Sequence, residues 1–453
     1  MTTARGLAAI AAVALGGVLS GCGAGGGEDE GGGGSGGAKT VKVLMVNNPQ
    51  MIDLQKLTAD NFTKKTGIKV QFKTLPENDV RDTIAQDVAN QAGQYDVISI
   101  SNYEVPIFAK NKWITDLTKY RTEDAAYKAD DILPPMAESL KSEGKTYGEP
   151  FYGESSMLMY RKDLFKEAGI EMPERPTWAQ VAKYAEQLDG QEKGLSGICL
   201  RGLPGWGEVF APLTTVVNTF GGAWFDKEWN AGVDGPEFKR ATDFYVDLVR
   251  EYGQPGAAQS GFTECLNSFS QGKTAMWYDA TSAAGSVENG DDSKVTGKVG
   301  YVYAPVEKTK TSGWLYAWAW GIEETSKVKD AAWKFISFAS GPEYEKVVGE
   351  TLGWGRLPDG KRSSTYENPE YQKATKASYE VIKSSIETAD PANPGVQPRP
   401  TLGIQFVTIP EFTKLGTDVS QGVSAAIAGK GTVDEALSSG QEAAEKVAQD
   451  YKE

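Results

Sequence analysis

Apolar residues at Val41, Val43, Leu44, Met45 and Val46, closed by Asn47-Asn48-Pro49, predict a strand followed by a turn. Met51, Leu54, Leu57 and Phe62 recur at helical spacing over 50–65, and Gly67 stops that helix. Ile68, Val70 and Phe72 alternate with Lys69 and Gln71, the pattern of a second strand. A helix over 78–93 and a buried strand over 95–100 complete a β-α-β-α-β rhythm. That rhythm predicts an α/β lobe around a parallel sheet, where ligands sit at the carboxyl ends of the strands. Asn47, Asn48, Ser101 and Asn102 stand at those ends.

Beyond this lobe, 144–160 reads as a turn and then a strand-like run. Helices are expected over 163–168, 177–188, 236–251, 327–340, 342–350, 369–388 and 433–450. Strands are expected over 197–200, 274–278, 299–303 and 315–322, and the Pro-rich stretch 389–400 as irregular. Residues 1–21 have Arg5 and then a short apolar run, Leu7 to Leu19, in the manner of an export signal. Leu19-Ser20-Gly21-Cys22 resembles the lipobox of bacterial lipoproteins, in which cleavage leaves a lipidated Cys22; the alternative is an ordinary secretory signal with an incidental cysteine. Residues 22–38 then form a Gly-rich tether, whose reach is ~20–25 Å for a coil of this length.

About 415 residues follow the tether, enough for two domains or lobes. A net charge of −14 argues against nucleic acid, whose phosphates need clustered cations. The chain contains no histidine, which removes a Ser-His-Asp triad, His-ligated zinc and a histidine base at once. If Cys22 is acylated, Cys199 and Cys265 remain, either as a disulfide or as two separate buried thiols. A bridge closing that loop would contribute ~4 kcal/mol in the chain-entropy model.

Four stretches stand in an order and spacing that covers nearly all of the chain after the tether. They are Pro150-Phe151-Tyr152-Gly153 with Leu158-Met159-Tyr160-Arg161-Lys162-Asp163-Leu164-Phe165, then Gly272-Lys273-Thr274-Ala275-Met276-Trp277-Tyr278-Asp279, then Ala331-Ala332-Trp333-Lys334-Phe335-Ile336-Ser337-Phe338, and Gly431-Thr432-Val433-Asp434-Glu435-Ala436-Leu437. Together they resemble the sugar-capturing family of extracellular solute-binding proteins of bacterial ABC importers. The resemblance implies a periplasmic-binding-protein-like α/β fold of two lobes with a hinge and an inter-lobe ligand cleft. It assigns 39–150 and 281–332 to the first lobe, and 151–280 and 333–453 to the second. The four stretches would mark the first crossing between lobes, the return crossing, the helix near a third, and the start of the terminal helix. The implied partners are the transmembrane subunits of an ABC permease with a separate ATPase. The implied protein is a monomer without cofactor or metal, held outside the cytoplasm by its lipid anchor. A narrower likeness, in Tyr152-Gly153-Glu154-Ser155-Ser156-Met157 and in Gly197-Ile198-Cys199-Leu200-Arg201-Gly202 leading to Gly205-Trp206-Gly207-Glu208, resembles the branch that binds sugar alcohols such as mannitol and sorbitol.

A polyol or sugar demands flat aromatic walls and directed hydrogen-bonding groups. Trp206 and Glu208 lie in a glycine-flanked turn that would present side chains outward. Arg201 follows a predicted strand, as a ligand donor or a surface ion pair. Glu154 follows the first crossing; Trp277 and Asp279 lie at the expected return crossing. Trp224 and the Trp354–Arg356 pair lie in glycine-rich loops, as site or as scaffold, and Asn48 ends the first strand. Trp318 shares a strand face with Trp320, at the cleft or in the core. The competing functions are a secreted carbohydrate-active hydrolase built on a carboxylate pair among Glu154, Glu208 and Asp279, or a binding protein for another solute such as an oligosaccharide.

Overall fold

The computed structural model describes residues 39–452. The expected signal over 1–21 and the tether over 22–38, Cys22 included, lie outside the described residues. Strands β1 (Thr40–Val46), β2 (Lys69–Leu75) and β3 (Val97–Ser101) form the predicted parallel core, with β1 between the other two. Alternate residues of β2 are exposed because it is an edge strand, whereas every residue of β3 is buried. A short hairpin, β4 (Lys141–Ser142) and β5 (Lys145–Thr146), precedes β6 (Glu149–Glu154) and β7 (Ser156–Arg161). β8 (Ser196–Cys199), β9 (Thr274–Ala280), β10 (Val299–Tyr303) and β11 (Tyr316–Ile322) complete the strands.

These strands make two main sheets, in the orders β2-β1-β3-β11-β6 and β10-β7-β9-β8. A single residue, Ser155, separates β6 of the first sheet from β7 of the second. That is the expected first crossing. The chain returns to the first sheet only between β10 and β11, over 304–315. The stretch 272–279 is therefore not a crossing: β9 pairs with β7 and β8 inside the second sheet. The expected lobe boundaries shift for the same reason. Residues 299–303 belong to the second sheet, because β10 pairs with β7. The helices Lys329–Ser340 and Pro342–Thr351 belong to the first lobe, the former packing on β1, β6 and β11. The chain rejoins the second lobe at helix Tyr379–Glu387, which packs on β7 and β10 of the second sheet as well as on β6 of the first.

Three local differences have plain causes. The expected helix over 369–388 is two helices, Pro369–Ala374 and Tyr379–Glu387, broken between them. Helix Phe210–Phe220 is buried on every side and so carries no amphipathic period to read. Helix Phe412–Ile427 contains Gly416 and Gly422, each a cost to intrinsic helicity. At both places a Cβ would collide, with Trp206 at the first and Ala436 at the second, so close packing repays the glycines. Cys199 and Cys265 form a disulfide, which ties the end of β8 to helix Phe262–Ser270. No helix among the described residues is long and apolar enough to cross a membrane.

Candidate functional site

The first sheet directs one edge toward the second. β1, β2 and β3 run parallel and β6 runs with them, since both β3 and β6 pair antiparallel to β11. The carboxyl ends of these strands therefore meet the start of β11. That edge delivers Asn48 after β1, Glu77 after β2, Glu104 after β3, Glu154 at the end of β6, and Tyr316 and Trp318 on β11. The second lobe mirrors this with the parallel pair β8 and β9. Arg201 follows β8 and Asp279 ends β9. Between these edges lies a narrow cavity, walled by Asn48, Glu77, Arg81, Glu154, Arg201 and Trp318 together with Phe262, Ser282, Trp314, Tyr316, Gln405 and Phe406.

Two guanidinium groups organise the polar wall. Arg201, 4 % exposed, is chelated by Asp279, with Nε to Oδ2 at 2.8 Å and Nη2 to Oδ1 at 2.6 Å. Its Nη1 reaches Glu208 Oε2 at 3.4 Å and, across the cleft, Glu77 Oε2 at 3.9 Å. Asp279 is fixed in turn by Trp277 Nε1 at 3.2 Å and by the backbone N–H of Ala280 at 2.7 Å. Arg81 donates to Glu104 at 2.7 Å, to Glu77 at 2.8 Å and to the Tyr316 hydroxyl at 2.6 Å. Its guanidinium lies 4.2 Å from the Trp206 ring centre and 4.9 Å from that of Trp318. Glu104 also accepts from the backbone N–H of Ser101 at 2.8 Å and from its hydroxyl.

Burial sets the charge of this cluster. It pushes the Glu154 carboxyl up to about 8, against the hydrogen bond from Ser282 at 2.6 Å and the charge of Arg201. Burial and the neighbouring charge of Glu77 push Glu208 up to about 8, although Arg201 opposes them. Both groups are therefore mostly neutral acids at pH 7. Arg81 is held by Glu77 and Glu104 and Arg201 by Asp279, so neither guanidinium is left free to hold an anionic ligand, and the Glu154 carboxyl on the wall donates as well as accepts.

The lobes touch across the cavity. Asn78 Nδ2 donates to the Pro204 carbonyl at 3.0 Å, and the Tyr103 ring lies 4.6 Å from that of Trp206. The backbone N–H of Ser155 donates to Thr281 Oγ1 at 3.1 Å beside the first crossing.

Asn48, Glu154, Arg201 and Trp318 thus share one wall, with Asn48 Nδ2 also donating to Tyr152 at 2.8 Å. Trp206, Glu208, Trp277 and Asp279 stand behind that wall and hold its guanidinium groups. Three expectations are corrected. Trp224, 1 % exposed, packs among Phe210, Phe238 and Phe412 in the second-lobe core. Trp354 packs against Gly349. Arg356 pairs with Asp53 at 2.5 Å, outside the cavity. The shared-face reading of Trp318 and Trp320 also divides: Trp320 packs on Phe151 and Phe335 in the core. The strand-end rule, applied to β2, points to Glu77 and through it to Arg81 one turn later. Gln405 and Phe406 carried no such signal, because they lie in irregular chain.

Residues 48–346 match the family described as bacterial extracellular solute-binding protein. The chain is 40% identical to the mannitol-binding protein of Pseudomonas aeruginosa over 90% of its own length and 92% of the relative's. It is 25% identical to the erythritol/L-threitol-binding protein of Mycolicibacterium smegmatis, covering 81% of each. The crystal structure of an ABC transporter solute-binding protein from Agrobacterium vitis S4 with bound D-mannitol is similar at a TM-score of 0.89, with 46% identity, covering 91% of this chain and 99% of that one. This chain belongs to the bacterial extracellular solute-binding protein family, with that family's two-lobed fold, and it is a binding protein rather than an enzyme.

Proposed function

We propose that this chain captures a sugar alcohol, with D-mannitol as the ligand of first choice, for an ABC importer. The observation that carries this reading is the cavity wall. Its two cations are already paired, its Glu154 carboxyl is held neutral, and Trp314, Tyr316, Trp318, Phe262 and Phe406 supply its apolar surface. Such a wall suits a neutral ligand with hydroxyls around a carbon chain. The mannitol bound to the 46% identical Agrobacterium protein supports the same choice. Because both walls come from one chain, the unit works as a monomer. Ligand favours the closed arrangement by its greater affinity for it, and the permease takes up the loaded form while a separate ATPase subunit supplies the energy. Cys22, lipidated, holds the protein on the outer face of the membrane.

Calorimetry of the chain from Ala38 onward tests the ligand, against mannitol, sorbitol, arabitol, xylitol, glucose and maltose. We expect heat with mannitol and sorbitol, and a thermal shift equivalent to ~2.7 kcal/mol at about a hundred times the dissociation constant. A response to maltose alone discards the polyol ligand. In parallel, Cys22→Ser should move the full chain from the membrane to the soluble fraction; retention on membranes discards the anchor.

A further inference from the structure

Residues 388–411 join helix Tyr379–Glu387 to helix Phe412–Ile427 without a helix or strand of their own. This strap is fastened to both lobes. On the second lobe, Asn218 Nδ2 donates to the Ile404 carbonyl at 2.9 Å, and Arg399 Nη1 donates to the same oxygen at 3.3 Å. Arg399 also donates to the Asn218 side-chain oxygen. On the first lobe, the Tyr103 hydroxyl donates to the Ile409 carbonyl at 2.9 Å. Between these fastenings, Gln405 and Phe406 reach the cavity wall.

Gln405 is 4 % exposed, and its Nε2 donates to the Ala211 carbonyl at 3.5 Å. That contact orients the amide, since turning it over would set two oxygens against each other. Its Oε1 is buried and has no partner among the described residues. Trp314, on the same cavity wall, has a buried Nε1–H that also lacks one. Buried polar atoms are nearly always paired, so each exception asks for an explanation. A hydroxyl group can satisfy either atom, because it both donates and accepts.

We infer that Gln405 is a specificity-determining residue, whose Oε1 accepts a hydrogen bond from one hydroxyl of the bound polyol. The inference rests on the polyol reading and adds to it a requirement at one position of the ligand. That position must carry a free hydroxyl; a methyl ether or a carboxylate there offers no proton and is rejected. The strap is the device that brings this acceptor to a cavity otherwise built by the two sheets.

The test measures binding of mannitol and its 1-, 2- and 3-deoxy forms to the full chain by calorimetry. Mannitol's two ends are equivalent, so these are all of its monodeoxy forms. Gln405→Leu should weaken mannitol binding roughly 10- to 100-fold, the usual consequence of losing one buried hydrogen bond. One deoxy form, rejected by the wild type, should then bind Gln405→Leu as well as mannitol does. If Gln405→Leu does not fold, Gln405→Met, of similar length and without the amide, takes its place. Deoxy penalties unchanged from wild type in all three forms overturn the inference. Wild-type protein that binds no polyol at all overturns the underlying ligand reading instead.

Discussion

Arg201 belongs to the second lobe and is held almost entirely within it. Asp279 chelates it, Trp277 and Ala280 fix Asp279, and the disulfide ties β8 to the helix whose Phe262 ring lies 5.3 Å from the guanidinium. Arg81 belongs to the first lobe and is only half enclosed there. Glu77, Glu104 and Tyr316 hold its nitrogens, but one face is covered by Trp206 from the opposite lobe. The first arginine is in place before the lobes meet, while the surroundings of the second are completed by their meeting. A two-lobed binding protein gains from both arrangements. A preorganised wall lowers the cost of ordering groups around the ligand, and a wall that senses closure lets binding change the balance of states.

Breaking the preorganised side should have the largest effect. Arg201→Ala leaves Asp279 buried without its bidentate partner, a change that costs about 3–5 kcal/mol. Urea unfolding should record that loss, and calorimetry should find no polyol binding. A variant as stable as wild type would mean that Asp279 finds another partner, and the reading of a preorganised wall would fall.

The two neutral acids give the next effect. In the folded chain Glu154 and Glu208 hold their protons up to about 8, whereas unfolded they release them near 4.5. Between those values the folded state binds more protons, so stability from these groups is complete below pH 4.5 and is lost as pH rises toward 8. The loss is up to roughly 1.4 kcal/mol per pH unit for each group. Glu154→Gln with Glu208→Gln should remove this contribution, so unfolding free energy between pH 5 and 8 falls less steeply than in wild type. An identical slope in the double variant would show that both acids are ionised in the fold.

The two sides also differed in how far they could be read from sequence. The β-α-β-α-β rhythm was legible because β1, β2 and β3 carry clear patterns, and strand-end logic reached Asn48. The second-lobe residues Arg201, Glu208 and Asp279 were reached through position and resemblance, but as ligand contacts; only Arg201 lines the cavity, while the other two hold it. That distinction depends on pairings between residues dozens of positions apart, which no local pattern encodes. Trp224 was misread for a related reason. A tryptophan after Gly221-Gly222-Ala223 looks like a loop residue, yet the helices that bury it begin at Phe210, Pro236 and Phe412. Gln405 was invisible because irregular chain has no period, and its role depends on where both lobes hold the strap.

The closure-sensing side should give the smallest and most selective effect. Trp206 comes from the second lobe, but two of its ring contacts, Arg81 at 4.2 Å and Tyr103 at 4.6 Å, are first-lobe residues. When the lobes separate, those contacts go, while Asp279 keeps its hold on Arg201. A desolvated cation–π contact is worth about 0.5–2 kcal/mol. Trp206→Leu keeps an apolar side chain on the strap and on helix Phe412–Ile427 but removes the π face. The closed state should lose that energy relative to the open one, raising the dissociation constant roughly 2- to 30-fold. The loss lies in the closing step, so small-angle scattering of the unliganded variant should show a larger radius of gyration than wild type, with excess ligand restoring the compact value. Arg201→Ala should not recover in this way, because ligand cannot replace the buried cation. If Trp206→Leu binds as tightly as wild type, Arg81 is held by its own lobe alone, and the contrast between the two arginines disappears.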